Sequence, residues 1–542
     1  MTLMGLTGAN WIPTNDRTKM PACGRLRNKN WGISLASAIL FLMFEPCASK
    51  VISVAPGGKA LAQGITSPLP PSNGVYQSVS SEGKVWFGTS KGLVRTVDGS
   101  SWTFYGKDTS FASPGIFSLS VQGDTILTAT GFEKDIDGQS LQTGSGLTFS
   151  FDGGTTWHHV PQPLDGIGDS VILYGVNRIS ALPIIVPEQN VTFDISVFGR
   201  TIWTASWAGG VRKSTDGGAT WRRVVLPPDT LNSISPAERL NFVLNPRNPP
   251  EGNRNHLAFS VAALNDSEVW AGTAGGVNYS SDGGISWRKF TYQNQINGIL
   301  GNWVIAIKGQ KTPTGVRIWT TNWPADDPRE TYGVSYTEDK GQTWHNLLKG
   351  IKCYDFAFRD SVVFIATADG LYRTSDLGAT WTKTNSIIDE MSRELITTSS
   401  VYTVSVVGDT VWIGTDDGIA QTVDQSGKPF GLSWAISRAY EPVEANSAVY
   451  VYPNPFSPNF ERARIHYATS SPLSVVSTEI YDFAMNRVRT LLHSASRSGS
   501  MQRDEIWDGT DDNGAIVPNG VYFIRLAIND GEPLWAKVLV IR

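Results

Sequence analysis

The feature that most constrains this chain is a short phrase that keeps returning along it. Five segments read Ser/Thr-x-Asp-x-Gly-x-Ser/Thr-Trp without exception: Ser150 to Trp157, Ser214 to Trp221, Ser280 to Trp287, Thr337 to Trp344 and Thr374 to Trp381. A sixth copy, Thr96 to Trp102, is one residue short, and a seventh, Thr422 to Trp434, is expanded by five residues after Asp424. Each copy follows a strand pair, as in Val85-Trp86-Phe87-Gly88-Thr89 before Gly92-Leu93, or Val411-Trp412-Ile413-Gly414-Thr415 before Gly418-Ile419. A further alternating run, such as Val401 to Val407, stands ahead of several. Each unit therefore supplies four short strands, A to D, with the repeated phrase as the C–D turn. Four-stranded units repeated in this way pack radially as propeller blades. The expected fold is all-β: a seven-bladed β-propeller over residues 72–440, then a small Ig-like β-sandwich over 449–542.

The repeated phrase has its own turn chemistry. Asp accepts bonds from nearby backbone N–H groups, Gly supplies positive φ, and Trp buries a large ring at the start of the outer strand. Because every full copy keeps all these parts, Asp98, Asp152, Asp216, Asp282, Asp339 and Asp376 are expected to be scaffold, with Trp102, Trp157, Trp221, Trp287, Trp344 and Trp381. On these residues the chain resembles the Asp-box, or bacterial neuraminidase repeat, propellers. That group includes sialidases, sortilin-type receptors, xyloglucanase-like hydrolases and photosystem assembly factors. The Trp-x-Gly-Thr-x-x-Gly-Leu/Val phrase is also similar to the sensor propellers of two-component regulators. The resemblance covers about residues 72–440 and implies a fold, since the box occurs in enzymes and binders alike.

Topology then says where a ligand can sit. In a four-stranded blade the A–B and C–D turns share one face, and the B–C and D–A loops share the other. The boxes mark the first face; the insertions fall on the second. Gly131–Ser145 and Trp323–Tyr332 are long B–C loops, and 161–190 and 227–255 are long D–A connections. Long loops on a rigid scaffold are where function concentrates. The lining candidates are Trp207, Trp323, Asp326, Asp327, Arg329 and Glu330, followed by Asp135, Asp137 and Arg178. Aromatic faces and carboxylates on one rim suit a carbohydrate or a peptide segment; the competing reading is solvated loop charges and loop-packing tryptophans.

Catalysis lacks its usual signatures. A sialidase-like site implies an early Arg-Ile-Pro phrase, whereas Arg178-Ile179-Ser180 comes far too late. Glycoside hydrolysis needs two carboxylates set apart across the scissile bond, and Asp326 and Asp327 are neighbours. No Gly-x-Ser-x-Gly, His-Glu-x-x-His, P-loop or dinucleotide fingerprint is present. No cofactor or metal is expected. The net charge of −4 gives no footprint for nucleic acid.

The two ends read differently from the middle. Arg25, Arg27 and Lys29 precede a twelve-residue apolar run, Ile33 to Phe44, which has the layout of a secretory leader and is too short to span a bilayer. Processing sites stand near Cys47-Ala48-Ser49 and after Ala60-Leu61-Ala62, so residues 1–62 are assigned to the leader. Beyond it only Cys353 remains, so the mature fold relies on its cores and not on disulfides. From Val449 onward, Tyr452-Pro453-Asn454-Pro455-Phe456, Val488-Arg489-Thr490-Leu491, Trp507-Asp508-Gly509, Gly520-Val521-Tyr522 and the terminal Lys537 to Arg542 closely resemble the FlgD-like Ig domain and the C-terminal sorting domains of type IX secretion cargo. That resemblance implies recognition by outer-membrane secretion machinery. The reading is a secreted or outer-membrane-surface protein of a Gram-negative bacterium, without a transmembrane segment in its mature form. Its propeller face is expected to bind a glycan or protein partner, without catalysis; the alternative is an exported glycoside hydrolase of the sialidase-like superfamily.

Overall fold

The computed structural model describes residues 60–61, 64–106, 111–136, 139–384, 386–389, 395–439, 448–459, 462–499 and 502–542. The leader lies almost wholly outside the described residues, as does Asp137. What is described is strand and turn, with no α-helix.

Seven four-stranded antiparallel meanders follow one another, each running A, B, C, D from the inside outward, and three of these sheets carry a fifth strand outside D. Their A strands are Val75–Ser81, Gly115–Gln122, Thr192–Phe198, Ala258–Ala263, Trp303–Thr312, Cys353–Arg359 and Thr403–Val407. Each A strand packs against the A strands before and after it, and the seventh returns to the first. The sheets therefore stand round one axis as propeller blades. The B and C strands are buried almost residue after residue, as in Val85-Trp86-Phe87 and Val363-Phe364-Ile365, because both faces of each sheet are covered by a neighbouring blade. Between the first and seventh sheets, for example, Phe87, Val94 and Trp102 meet Trp412 and Ile419.

The ring closes without sharing a strand. Instead the Val75 N–H donates to Thr415 O (2.8 Å), the Gly418 N–H donates to Asn73 O (2.9 Å), and Asn73 Oδ1 accepts the Ala439 N–H (2.7 Å). Ser78 Oγ meets Thr403 Oγ1 at 2.7 Å across the same seam.

The C–D turns share one hydrogen-bond pattern in the five full copies. Asp376 is representative: its carboxylate accepts the Thr380 N–H (2.9 Å), the Thr380 hydroxyl (2.5 Å) and the Thr374 hydroxyl (2.8 Å). Gly378, at φ +87°, carries the left-handed step the turn needs. Trp102, Trp157, Trp287, Trp344 and Trp434 are buried between blades, and Trp221 and Trp381 partly so. Asp424, in the expanded seventh copy, is used differently. It is buried and gripped by Arg359 and Arg373 of the sixth sheet.

The two long D–A insertions do not remain on one face. Val171–Tyr174, Asn177–Ala181 and Val243–Leu244 form a small accessory sheet. Its inner residues Tyr174, Ile179 and Leu244 join Trp203 and Trp287 in one core, and the Tyr174 hydroxyl donates to Ile285 O within a box turn (2.6 Å). The insertions thus clad the outer flank between the third and fourth sheets.

The C-terminal residues form a sandwich of a three-stranded and a four-stranded antiparallel sheet around Val451, Ile465, Tyr467, Ile480, Trp507, Ile524 and Val538. Its acidic turn is internally bonded: Asp508 accepts from Thr510 and Arg489, and Asp512 accepts the Thr490 N–H. Arg464 of the sandwich reaches the B–C loop of the seventh sheet. Its Nε donates to Asp417 Oδ1 (3.1 Å) and its Nη2 to Leu395 O (3.3 Å). Arg438 meets the same carboxylate (3.4 Å) and the same Leu395 carbonyl (2.5 Å).

Candidate functional site

At the B–C/D–A mouth of the axis each A strand begins with an irregularity. Register shifts place one extra residue at Tyr76, Phe117, Phe193, Phe259, Ile305 and Tyr354. In the seventh sheet the Tyr402 N–H donates to Gly414 O while Thr403 is already opposite Gly414. A bulge kinks the strand and re-aims the extra side chain. Repeated round the ring, it places six aromatic residues and one isoleucine at equivalent positions.

These residues touch in sequence. Phe117 lies 6.5 Å from Phe193, and Phe193 lies 6.0 Å from Phe259, centroid to centroid. Tyr354 lies 5.2 Å from Tyr402, which lies 5.3 Å from Tyr76. Two candidate tryptophans from the B–C loops join this collar. Trp207 packs on Phe259 (5.1 Å) and Trp303 (5.7 Å); Trp323 packs edge-on against Tyr354 (5.9 Å) and Tyr332 (6.1 Å). Both tryptophans are mostly buried and act as pillars of the collar, while Phe193, Phe259, Tyr332 and Tyr354 retain partial exposure.

Lys352 closes one side. Its ammonium sits 4.1 Å from the Trp323 ring centroid, 5.7 Å from Tyr354 and 6.0 Å from Tyr332. Burial lowers its pKa. Trp323 is fixed beneath it by Nε1 donating to Cys353 O (2.9 Å). Cys353 itself is fully buried, and burial drives its thiol far above the ordinary range, so it is a packing residue.

Three of the carboxylates named from the sequence, Glu330, Asp327 and Asp326, are engaged. Glu330 is buried and accepts from the Ala325 N–H (2.7 Å), the Asn302 N–H (3.0 Å), Asn302 Nδ2 (2.8 Å) and Gln293 Nε2 (3.0 Å). Burial raises its pKa, and these donors work against the rise. Asp327 pairs with Arg329 (2.7 Å), whose bonds hold the carboxyl well below the usual range. Asp326 pairs with Arg254 (2.7 Å) from the neighbouring D–A insertion. Glu330 and Asp326 tie the 323–332 loop to the neighbouring D–A connections, while the Asp327–Arg329 pair lies within the loop. Arg178 lies apart, exposed on the accessory sheet opposite Leu173. Asp135 lies on the B–C hairpin of the second sheet, which continues as strands Thr125–Ile136 and Gln139–Ser150.

Just below the collar, Asp194 accepts the Val261 N–H of the next A strand (2.8 Å). Asp355 accepts the Val404 N–H of the next one (3.2 Å) and pairs with Lys308 (2.6 Å). Burial pushes the Asp194 carboxyl up to about 7, an enclosed acid flanked by an ion pair. Both Asp residues cap backbone N–H groups on the inner edges of A strands. A separate cleft of about 580 Å³ opens beside the expanded seventh turn, lined by Thr422, Lys428 and Trp434, away from the collar.

No family model matches the chain, and no curated protein matches it. Solved structures do. YCF48 bound to D1 peptide is 16% identical over 67% of this chain and 96% of that one, with a TM-score of 0.40. An ancestral GH74 enzyme is 15% identical over 88% of this chain and 64% of that one, at 0.48. PorZ, a bacterial surface component of the type-IX secretion system of Porphyromonas gingivalis, is 14% identical over 86% and 66%, at 0.35. With every TM-score below 0.5, these likenesses carry no argument, and the propeller stands on the strand order and packing of the chain itself. No helix among the described residues is long and apolar enough to cross a membrane.

Proposed function

We propose that the chain is an exported, cell-surface binding protein whose B–C/D–A propeller face engages a glycan or a protein partner without chemical turnover. The aromatic collar carries this reading. Its partly exposed aromatic faces, Phe193, Phe259, Tyr332 and Tyr354, stand on a rigid scaffold and offer contact area at little conformational cost. The carboxylates around it serve structure: Glu330 accepts from four donors, and Asp326 and Asp327 are each paired with an arginine. A glycosidase needs instead two carboxyl groups facing each other about 5–10 Å apart across the substrate. The C-terminal sandwich, with its Tyr452-Pro453-Asn454-Pro455-Phe456 approach, is proposed as the part read by a type IX-like secretion system. Probing a glycan array with the full chain, beside an assay for sugar release, separates the two readings. Binding without release is expected; steady release of reducing ends supports the hydrolase instead.

A further inference from the structure

Resting on the binding role proposed for this face, we infer that Lys352 is the anion-recognition group of a subsite for carboxylate-bearing sugars, that is, for uronic-acid glycans. Three other lysines illustrate the contrast. Lys134 pairs with Glu188 (2.6 Å), Lys308 with Asp355 (2.6 Å) and Lys383 with Asp369 (2.7 Å). Lys352 makes no ion pair among the described residues. Its ammonium is held by three aromatic faces, and burial is the sole cause of its lowered pKa, with no carboxylate opposing it. Ring quadrupoles attract a cation, yet they carry no net charge to neutralise it. The ammonium is therefore partly desolvated and, among the described residues, lacks a counter-charge, which a ligand carboxylate supplies through a charge-assisted bond.

The cage is held in place before any ligand arrives. Trp323 is anchored through Nε1 to Cys353 O (2.9 Å), and the Lys352 carbonyl accepts the Ala368 N–H of the sixth B–C loop (2.9 Å). The fifth and sixth blades thus grip the lysine from both sides. Beside it stand Tyr332 and Tyr354, whose phenols can each donate and accept. A uronate presents a carboxylate, ring hydroxyls and an apolar C–H face at fixed separations. That set matches an ammonium, phenols and aromatic faces better than the flexible carboxylate of an acidic peptide, which brings no ring to stack.

The test is titration of the full chain at low salt with oligogalacturonate, a neutral cello-oligosaccharide and a polyglutamate peptide. Wild type, Lys352→Gln and Lys352→Arg are compared, each checked by thermal melting. The wild type is expected to favour oligogalacturonate over the neutral sugar by about tenfold, with the preference shrinking as salt rises. Lys352→Gln erases that preference while Lys352→Arg keeps part of it. The inference is overturned if acidic and neutral sugars bind alike, if the preference survives Lys352→Gln, or if polyglutamate competes equally. Neutral-sugar binding without acid preference leaves the binding face intact; failure of every sugar removes the glycan version of both readings.

Discussion

His256 and the box aspartates give the fold two separate acid sensitivities. His256 is buried in the insertion before the fourth sheet, with Nδ1 accepting the Asn245 N–H (3.1 Å) and Nε2–H donating to Leu226 O (3.2 Å). Burial pushes its pKa down to about 3, from an ordinary value near 6.5. The unfolded chain therefore takes up this proton first. Stability is intact above pH ~6.5 and falls below it by about 1.4 kcal/mol per pH unit. Denaturant melts at pH 7 and pH 5 should show this slope, and His256→Gln should flatten it at the cost of a lower plateau. Asp376 is held near 2 by the Thr380 hydroxyl and N–H and by Thr374, against an ordinary 3.8. Its stabilisation is present above pH ~4 and is lost as pH falls through 2. Asp376→Asn should lower the melting temperature at pH 7 and narrow the gap to wild type at pH 2. An equal gap at both values would contradict the bonding described.

Among the elements, the 323–332 loop depends on Glu330 more than on its more exposed charges. Glu330→Ala leaves the Ala325 and Asn302 N–H groups without their acceptor and should cost about 1–3 kcal/mol. Asp327→Ala, at the rim, should cost clearly less, because its pair with Arg329 is screened by solvent. Chemical melts of both variants test that order. The blades themselves were legible in the sequence, because the box residues recur at fixed spacing and each part has a local job. The collar was not. A bulge is a property of strand pairing, and no box marks the A strands. A signal exists in hindsight: Val75-Tyr76-Gln77, Thr192-Phe193-Asp194, Ala258-Phe259-Ser260 and Cys353-Tyr354-Asp355 all place an aromatic between a small or apolar residue and a polar one. Trp323 and Glu330 were found by loop length, whereas Lys352 lay in a short connection that length does not flag. Arg178 shows the limit of the loop argument, since its insertion folds back onto the outer flank, burying Ile179 with Trp203 and Trp287.

For the whole molecule, Asp417 joins the propeller to the sandwich. Burial raises its pKa, but Arg464 and Arg438 outweigh that effect and hold it below the ordinary value. Asp417→Ala removes the carboxylate that two buried guanidinium groups share and should cost about 3 kcal/mol. The sandwich should then separate from the propeller more rapidly under limited proteolysis, and adding Arg464→Met should recover part of the loss. An unchanged digestion rate would mean that apolar contacts hold the two parts together. On the function proposed above, the two faces divide the work: the collar binds, and the box turns only build. The most direct measurement is the glycan array repeated with Phe259→Ala and Tyr354→Ala from the collar and Asp216→Asn from the box face, all at temperatures where each protein is folded. The account predicts that both collar variants lose the wild-type signals while the box variant keeps them. Signals that survive both collar substitutions and vanish with Asp216→Asn would contradict it.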